Sequence, residues 1–156
     1  MESASKIALV TGGSRGLGKN MALRLAEKGN DVIVVYRSRE QEANEVVAAI
    51  EALGQKAVAI QLDTALVKSF DGFFTKLSGI LKDKWNRTTF DFLINNAGIS
   101  RPSAFAETSE DDFDDLLNVH FKGVYFLSQK ALPLLAGGGR IVNLSTGLAR
   151  FSTPGY

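Results

Sequence analysis

Four glycines fall within Thr11-Gly12-Gly13-Ser14-Arg15-Gly16-Leu17-Gly18, directly after the apolar run Ile7 to Val10 and before Lys19 to Lys28, a segment of helix-forming composition. A strand, a glycine turn and a helix start coincide there. Glycine opens backbone conformations closed to other residues and lets a ligand approach the main chain closely. The helix N-terminus beyond presents unpaired N–H groups and the positive end of a dipole to an anion. The chemistry implied is the cradling of a pyrophosphate; glycines serving only a turn and a helix cap are the alternative reading.

Other groups are spaced to work beside such a turn. Tyr36-Arg37-Ser38 closes the second apolar run with a guanidinium and no carboxylate. A dinucleotide fold that selects NAD places an acid there for the ribose 2′-OH, whereas an Arg accommodates a 2′-phosphate. Asn118 stands in Leu117-Asn118-Val119, inside a long helical stretch where its side chain competes for backbone hydrogen bonds. Ser145 and Thr146 set two hydroxyls just past a strand-like run. The single histidine, His120, has no neighbouring metal-ligand pattern and reads as a packing or surface residue. Glu107, Glu110, Asp111, Asp112, Asp114 and Asp115 gather where a helix should begin, and negative charge favours that dipole end. They read as a solvated helix start, and no metal is expected.

The elements that must position these groups alternate along the chain. Ile7 to Val10, Asp31 to Tyr36, Ala57 to Leu62, Phe90 to Asn95 and Arg140 to Leu144 are short and apolar, as buried parallel strands are. Leu17 to Lys28, Arg39 to Leu53, Leu66 to Lys84 and Glu110 to Leu135 are long enough for crossover helices. Gly29 and Gly54 sit where helices should stop, and Ser109 with Asp112 resembles a capping box. Five strands linked this way predict an α/β fold, a doubly wound parallel sheet with right-handed crossovers and helices on both faces. Ligands of such sheets bind beyond the carboxyl ends of the strands.

Composition narrows the function classes. With 156 residues, 45% of them hydrophobic, and no linker or low-complexity stretch, one domain is expected. A net charge of +1 with dispersed Lys and Arg lacks the basic excess of a nucleic-acid surface. The chain has no cysteine for a disulfide or thiolate site, its start lacks the layout of a signal peptide, and no apolar run approaches the roughly 18 residues that span a bilayer. A cytoplasmic protein with neither nucleic-acid nor membrane partners is the expectation.

From about Lys6 onward the chain resembles the short-chain dehydrogenase/reductase family. The family's Thr-Gly-x-x-x-Gly-x-Gly pattern is met by Thr11, Gly12, Gly16 and Gly18, and its second signature by Asn95-Asn96-Ala97-Gly98 after the fourth strand. The resemblance implies a Rossmann-type fold binding NADP(H). Gly12, Ser14, Arg15, Gly16, Leu17 and Gly18 then form the phosphate turn, and Tyr36, Arg37 and Ser38 the end of β-strand two. Ala97 and Gly98 line the adenosine-ribose side, and Asn95 secures the central sheet. Arg15 and Arg37 match positions that the family uses for NADP. Asp63 resembles the adenine-contacting acid, and an Asp there equally suits a cap on the following helix. Asn118 matches the Asn that holds a water in the proton relay. Thr146 occupies the slot of the catalytic Ser, with a stiffer β-branched side chain, and Ser145 is the other hydroxyl within reach.

The family's Tyr-x-x-x-Lys pair does not occur among these residues. Tyr156 follows Thr146 too soon and reads as part of a Pro154-Gly155-Tyr156 turn. The resemblance therefore suggests the N-terminal part of a reductase, with the sheet truncated after its fifth strand and the later elements missing. The parent enzyme would move a hydride between NADPH and a small carbonyl or alcohol substrate, as a dimer or tetramer, while this chain alone would be inactive. A non-catalytic dinucleotide-binding module, acting through cofactor sensing or oligomer assembly, is the other function open to it.

Overall fold

A computed structural model describes residues 5–151. Parallel strands β1 (Ile7–Thr11), β2 (Asp31–Tyr36), β3 (Ala57–Gln61), β4 (Phe90–Asn95) and β5 (Leu135–Asn143) form one sheet in the order β3-β2-β1-β4-β5. Helices α1 (Gly16–Glu27) and α2 (Glu40–Ala52) cover one face. On the other lie α3 (Phe70–Trp85) and α5 (Gly123–Ala131), the latter preceded by α4 (Glu110–Leu117).

Strand alternation sorts the core into two layers. Leu9 and Ile33 pack with Phe70, Leu77, Leu81 and Leu127 on the α3 side. Their neighbours Val10 and Val34 pack with Ala22, Ala26, Val46 and Ile50 on the α1 side. Both faces are thus dry, which is why β1 and β2 read as unbroken apolar runs. The winding direction changes between β1 and β4, so the segments leaving those two strands border the switch point where such sheets bind ligands.

The punctuation expected from sequence is present. Gly29 and Gly54 follow the ends of α1 and α2, and the Ser109 hydroxyl caps α4 by accepting from the Asp112 N–H at 3.1 Å. The stretch from Glu110 to Leu135 departs from the single helix expected. It breaks at a π turn, Asn118–Lys122, resumes as α5, and ends in a 3₁₀ turn at Leu132–Leu134. Pro133, in that turn, has no N–H to continue a helix. β5 begins at Leu135 and not at Arg140: Leu135 pairs with Phe90 and Arg140 with Phe92, and Gly137–Gly139 take up the difference as a bulge. The turn expected at Pro154–Tyr156 lies outside the described residues.

Candidate functional site

Two clefts open at the carboxyl ends of the strands, one of about 380 Å³ and one of about 870 Å³. They share Leu17, Asn96, Ala97, Gly98 and Ile99 and so form a continuous trough. The first is the polar end. Gly12, Ser14, Arg15, Gly16, Leu17 and Gly18 line it from the turn after β1, Arg37 and Ser38 from the end of β2, and Asp63 from beyond β3.

The turn has the form of a phosphate cradle. Gly12 and Gly16 hold φ angles of +64° and +54°, the left-handed region that disfavours side chains. A Cβ at Gly18 would intrude on the Gly12 carbonyl oxygen and the Asn96 amide. Arg15 precedes α1 in extended conformation without capping it by its side chain, and the first-turn amides have no helical acceptors. Free N–H groups, a dipole end and missing side chains therefore meet in one place, a fit for a bound pyrophosphate.

The two signature segments hold each other. The Thr11 hydroxyl donates to the Ile94 carbonyl at 3.2 Å and accepts from the Asn96 and Ala97 N–H groups at 2.9 and 3.0 Å. That exhausts one donor and two acceptor positions. The Asn96 side-chain amide donates back to the Thr11 carbonyl at 2.8 Å and the Gly12 carbonyl at 3.3 Å. Both loops are thereby fixed across the switch point.

Three candidates lie elsewhere than in the clefts. Asn95 is buried behind them, where its amide donates to the Ser128 hydroxyl at 3.1 Å and the Asn143 side-chain oxygen at 2.8 Å, tying β4 to α5 and β5. Tyr36 turns into the α2-side core with Val34 and Val46. Burial, and then the neighbouring Glu40 carboxylate, hold its phenol above the ordinary value of 10. Asn118 is half-buried and lines neither cleft; it opens the π turn, its carbonyl accepting from the Gly123 N–H. Asp63 lines the first cleft, and its Oδ1 accepts from the Ala65 N–H at 2.9 Å; it does not cap the helical turn that follows, which has Leu66 at its N-terminus and no side-chain cap.

Ser145 and Thr146 lie in the second cleft among Leu116, Leu144, Leu148 and Phe151. The Thr146 Oγ1 also accepts from the Leu148 N–H at 3.2 Å. His120 and Arg101 line this cleft too, and the sequence reading had given neither a place there. In the first cleft it overlooked Arg39, only two residues beyond Arg37 and visible as a further cation in the same loop. Arg39 pairs with Glu42 at 2.5 Å. The acidic helix start serves Arg101, which meets Asp112 at 3.6 Å and Asp115 at 2.9 Å. Among the described residues no group of His, Cys, Asp and Glu is arranged to hold a metal, and no helix is long and apolar enough to cross a membrane.

A doubly wound sheet with a glycine cradle after β1 and Asn-Asn-Ala-Gly after β4 defines a Rossmann-type α/β protein. The chain belongs to the short chain dehydrogenase family, whose sequence profile matches residues 6–156. It is 36% identical over 154 residues to the 3-oxoacyl-(acyl-carrier-protein) reductase FabG of Staphylococcus aureus, covering 97% of this chain and 60% of that protein. It is 32% identical over 153 residues to hydroxynaphthalene reductase arp2 of Aspergillus fumigatus, covering 98% and 54%. The landomycin C-6 ketoreductase LanV, solved with bound NADP and rabelomycin, is similar in structure with a TM-score of 0.92 at 37% identity, over 96% of this chain and 61% of LanV. A short chain dehydrogenase from Burkholderia cenocepacia, solved in complex with NADP, matches with a TM-score of 0.86 at 40% identity, over 96% and 59%. The chain thus spans 54–61% of the length of these proteins.

Proposed function

We propose that this chain carries the NADP(H) site and part of the substrate site of a cytoplasmic, homo-oligomeric oxidoreductase that passes a hydride between NADPH and a small carbonyl or alcohol compound. The observation that carries the reading is the charge of the first cleft. Arg15, Arg37 and Arg39 line it beside Ser38, and its one acid, Asp63, comes from beyond β3. A guanidinium meets a phosphate bidentately, and a carboxylate at the end of β2 would repel it. In this reading the α1 amides at Gly16–Gly18 hold the pyrophosphate, Arg15 and Arg37 the 2′-phosphate, Asp63 the adenine, and Ala97 and Gly98 the ribose. The NADP-bound state of LanV and the Burkholderia dehydrogenase supports it.

The cofactor supplies the hydride, so the protein's part is positioning and acid–base chemistry. Thr146 donates its hydroxyl to the substrate oxygen, with Ser145 beside it. An aliphatic hydroxyl is too weak an acid to deliver the proton near neutral pH, and the family resemblance gives that task to a Tyr-x-x-x-Lys pair, a pattern that does not occur in these 156 residues. Asn118 is assigned the relay water on the family resemblance, its side chain lying outside both clefts. The homo-oligomer is supported by Phe113, Leu117, Phe121 and Tyr125, large apolar side chains four residues apart and all exposed. The relatives named as a 3-oxoacyl reductase and a ketoreductase support a carbonyl substrate.

NADPH consumption with a panel of ketones tests this, run on residues 1–156 and on the product of the complete open reading frame. Turnover by the latter, falling on the order of a hundredfold in Thr146→Ala, is expected. Failure of the complete product to oxidise NADPH with any ketone would count against the reading.

A further inference from the structure

Arg101 lies in the loop after β4 and lines the second cleft. Each of its three guanidinium nitrogens faces a protein oxygen. Nη2 meets the Asp115 Oδ2 at 2.9 Å, Nε meets the Asp112 Oδ1 at 3.6 Å, and Nη1 donates to the Ser100 carbonyl at 3.2 Å. Asp112 and Asp115 stand three residues apart and so share one face of α4. The Ser109 hydroxyl donates to the other Asp112 oxygen at 2.8 Å, which holds that carboxylate in place. Two acids thus meet one cation, and a negative charge is left over beside the cleft. Glu110, Asp111 and Asp114 on the same helix add to it.

The two ends of the trough treat their arginines in opposite ways. In the first cleft Arg15 and Arg37 form no ion pair among the described residues and lie open to an anion. In the second, Arg101 is neutralised before any ligand arrives. His120, the other ionisable side chain lining that cleft among the described residues, has its Nε2 occupied by the Ile99 peptide. An anion brought in among Leu116, Leu144 and Leu148 would lose hydration with no unpaired guanidinium to offset the cost.

We propose that Arg101 is a specificity-determining residue: bound to Asp112 and Asp115, it lends the second cleft a polar wall without a free positive charge, so the cleft takes an uncharged carbonyl compound and rejects an anionic one. The proposal rests on the reading of the second cleft as the substrate end.

The product of the complete open reading frame, assayed with NADPH and either para-acetylbenzamide or para-acetylbenzoate, tests it. These ketones share a shape and differ by one negative charge. The benzamide should have a kcat/KM on the order of tenfold higher, the effect of one like-charge contact near a protein surface. The gap should shrink as salt is raised toward about 0.5 M, which screening demands and a steric cause does not. Asp112→Asn combined with Asp115→Asn frees Arg101. It should raise kcat/KM for the benzoate on the order of tenfold and leave the benzamide within about twofold. Asp115→Asn alone, at a side chain 54% exposed, should move the benzoate in the same direction with α4 intact. Equal kcat/KM for the two ketones in the unmutated protein, or no gain for the benzoate in either variant, overturns the proposal. Turnover of neither ketone would instead strike the substrate reading. Titration of both compounds, followed through the NMR signals of the Ile99 and Leu148 methyl groups, would still decide the charge selection: tighter benzamide binding supports it and equal binding overturns it.

Discussion

β1 and β2 are buried at every position, whereas β5 leaves Arg140, Val142 and Asn143 exposed and pairs only with β4 among the described residues. The contrast extends to the clefts. The first is framed by segments fixed through Thr11 and Asn96, while the second is walled partly by Leu148 and Phe151, which are 43% and 67% exposed. The half that would hold the cofactor thus closes its own core. The half that would hold the substrate leans on a single strand pairing and a loop. Changes on the first side should therefore damage folding and binding together, and changes on the second should leave the fold intact.

The sharpest break is Gly18→Val. Its branched side chain would be forced against the Gly12 carbonyl and the Asn96 amide. Overpacking of this kind is expected to cost about 1–3 kcal/mol of stability. Dinucleotide affinity should fall on the order of a hundredfold, about 2.8 kcal/mol. Denaturant melts and calorimetric titration measure the two. Next comes a paired comparison of strands. Ile33→Ala removes a side chain with no exposed surface, at an expected cost of about 2–5 kcal/mol. Val142→Ala, at a position 48% exposed, should stay within about 0.5 kcal/mol. Equal losses in urea unfolding would erase the distinction between the halves.

Thr11→Val sharpens the boundary between them. The shape is kept, but the Asn96 and Ala97 N–H groups lose their acceptor. About 1–3 kcal/mol should be lost, and a melt of unchanged midpoint would show that Thr11 does not join the two signature segments. The smallest effect is alkaline. Because burial and Glu40 hold the Tyr36 phenol above 10 in the folded chain, the folded state keeps that proton longer than the unfolded one. The stabilisation is complete below the unfolded pKa and is lost as pH rises through the folded one. Tyr36→Phe should flatten stability across that window, checked by urea unfolding at successive pH values.

Sequence and structure agree where the determinants are local. An apolar run, glycines and a helix start specified the turn after β1 with its Arg15, and the end of the second apolar run supplied Arg37; both line the first cleft. The residues misplaced depend on distant partners. Gly123 packs against the Thr64 carbonyl with no room for a Cβ, and nothing near residues 118–122 announces that approach or the π turn beside it. The β5 bulge follows from pairing Leu135 with Phe90 across the sheet, whereas a run of glycines on its own reads as a loop. His120 meets Ile99 from another segment, a contact that only the fold reveals. Tyr36 was legible in principle, since strand alternation puts it on the face of Val34 in the α2-side layer; reading it by its place at the strand end sent it to the cleft.

In the proposed reading the first cleft selects a 2′-phosphate through its arginines. Titrating the chain with NADPH and NADH side by side, before and after Arg37→Asp, tests it most directly. NADPH should bind at least about tenfold tighter to the unmutated chain, the value of one charged hydrogen bond, and the preference should vanish or reverse in the variant. Equal affinity for the two cofactors in the unmutated chain, or a preference that survives Arg37→Asp undiminished, would contradict the account.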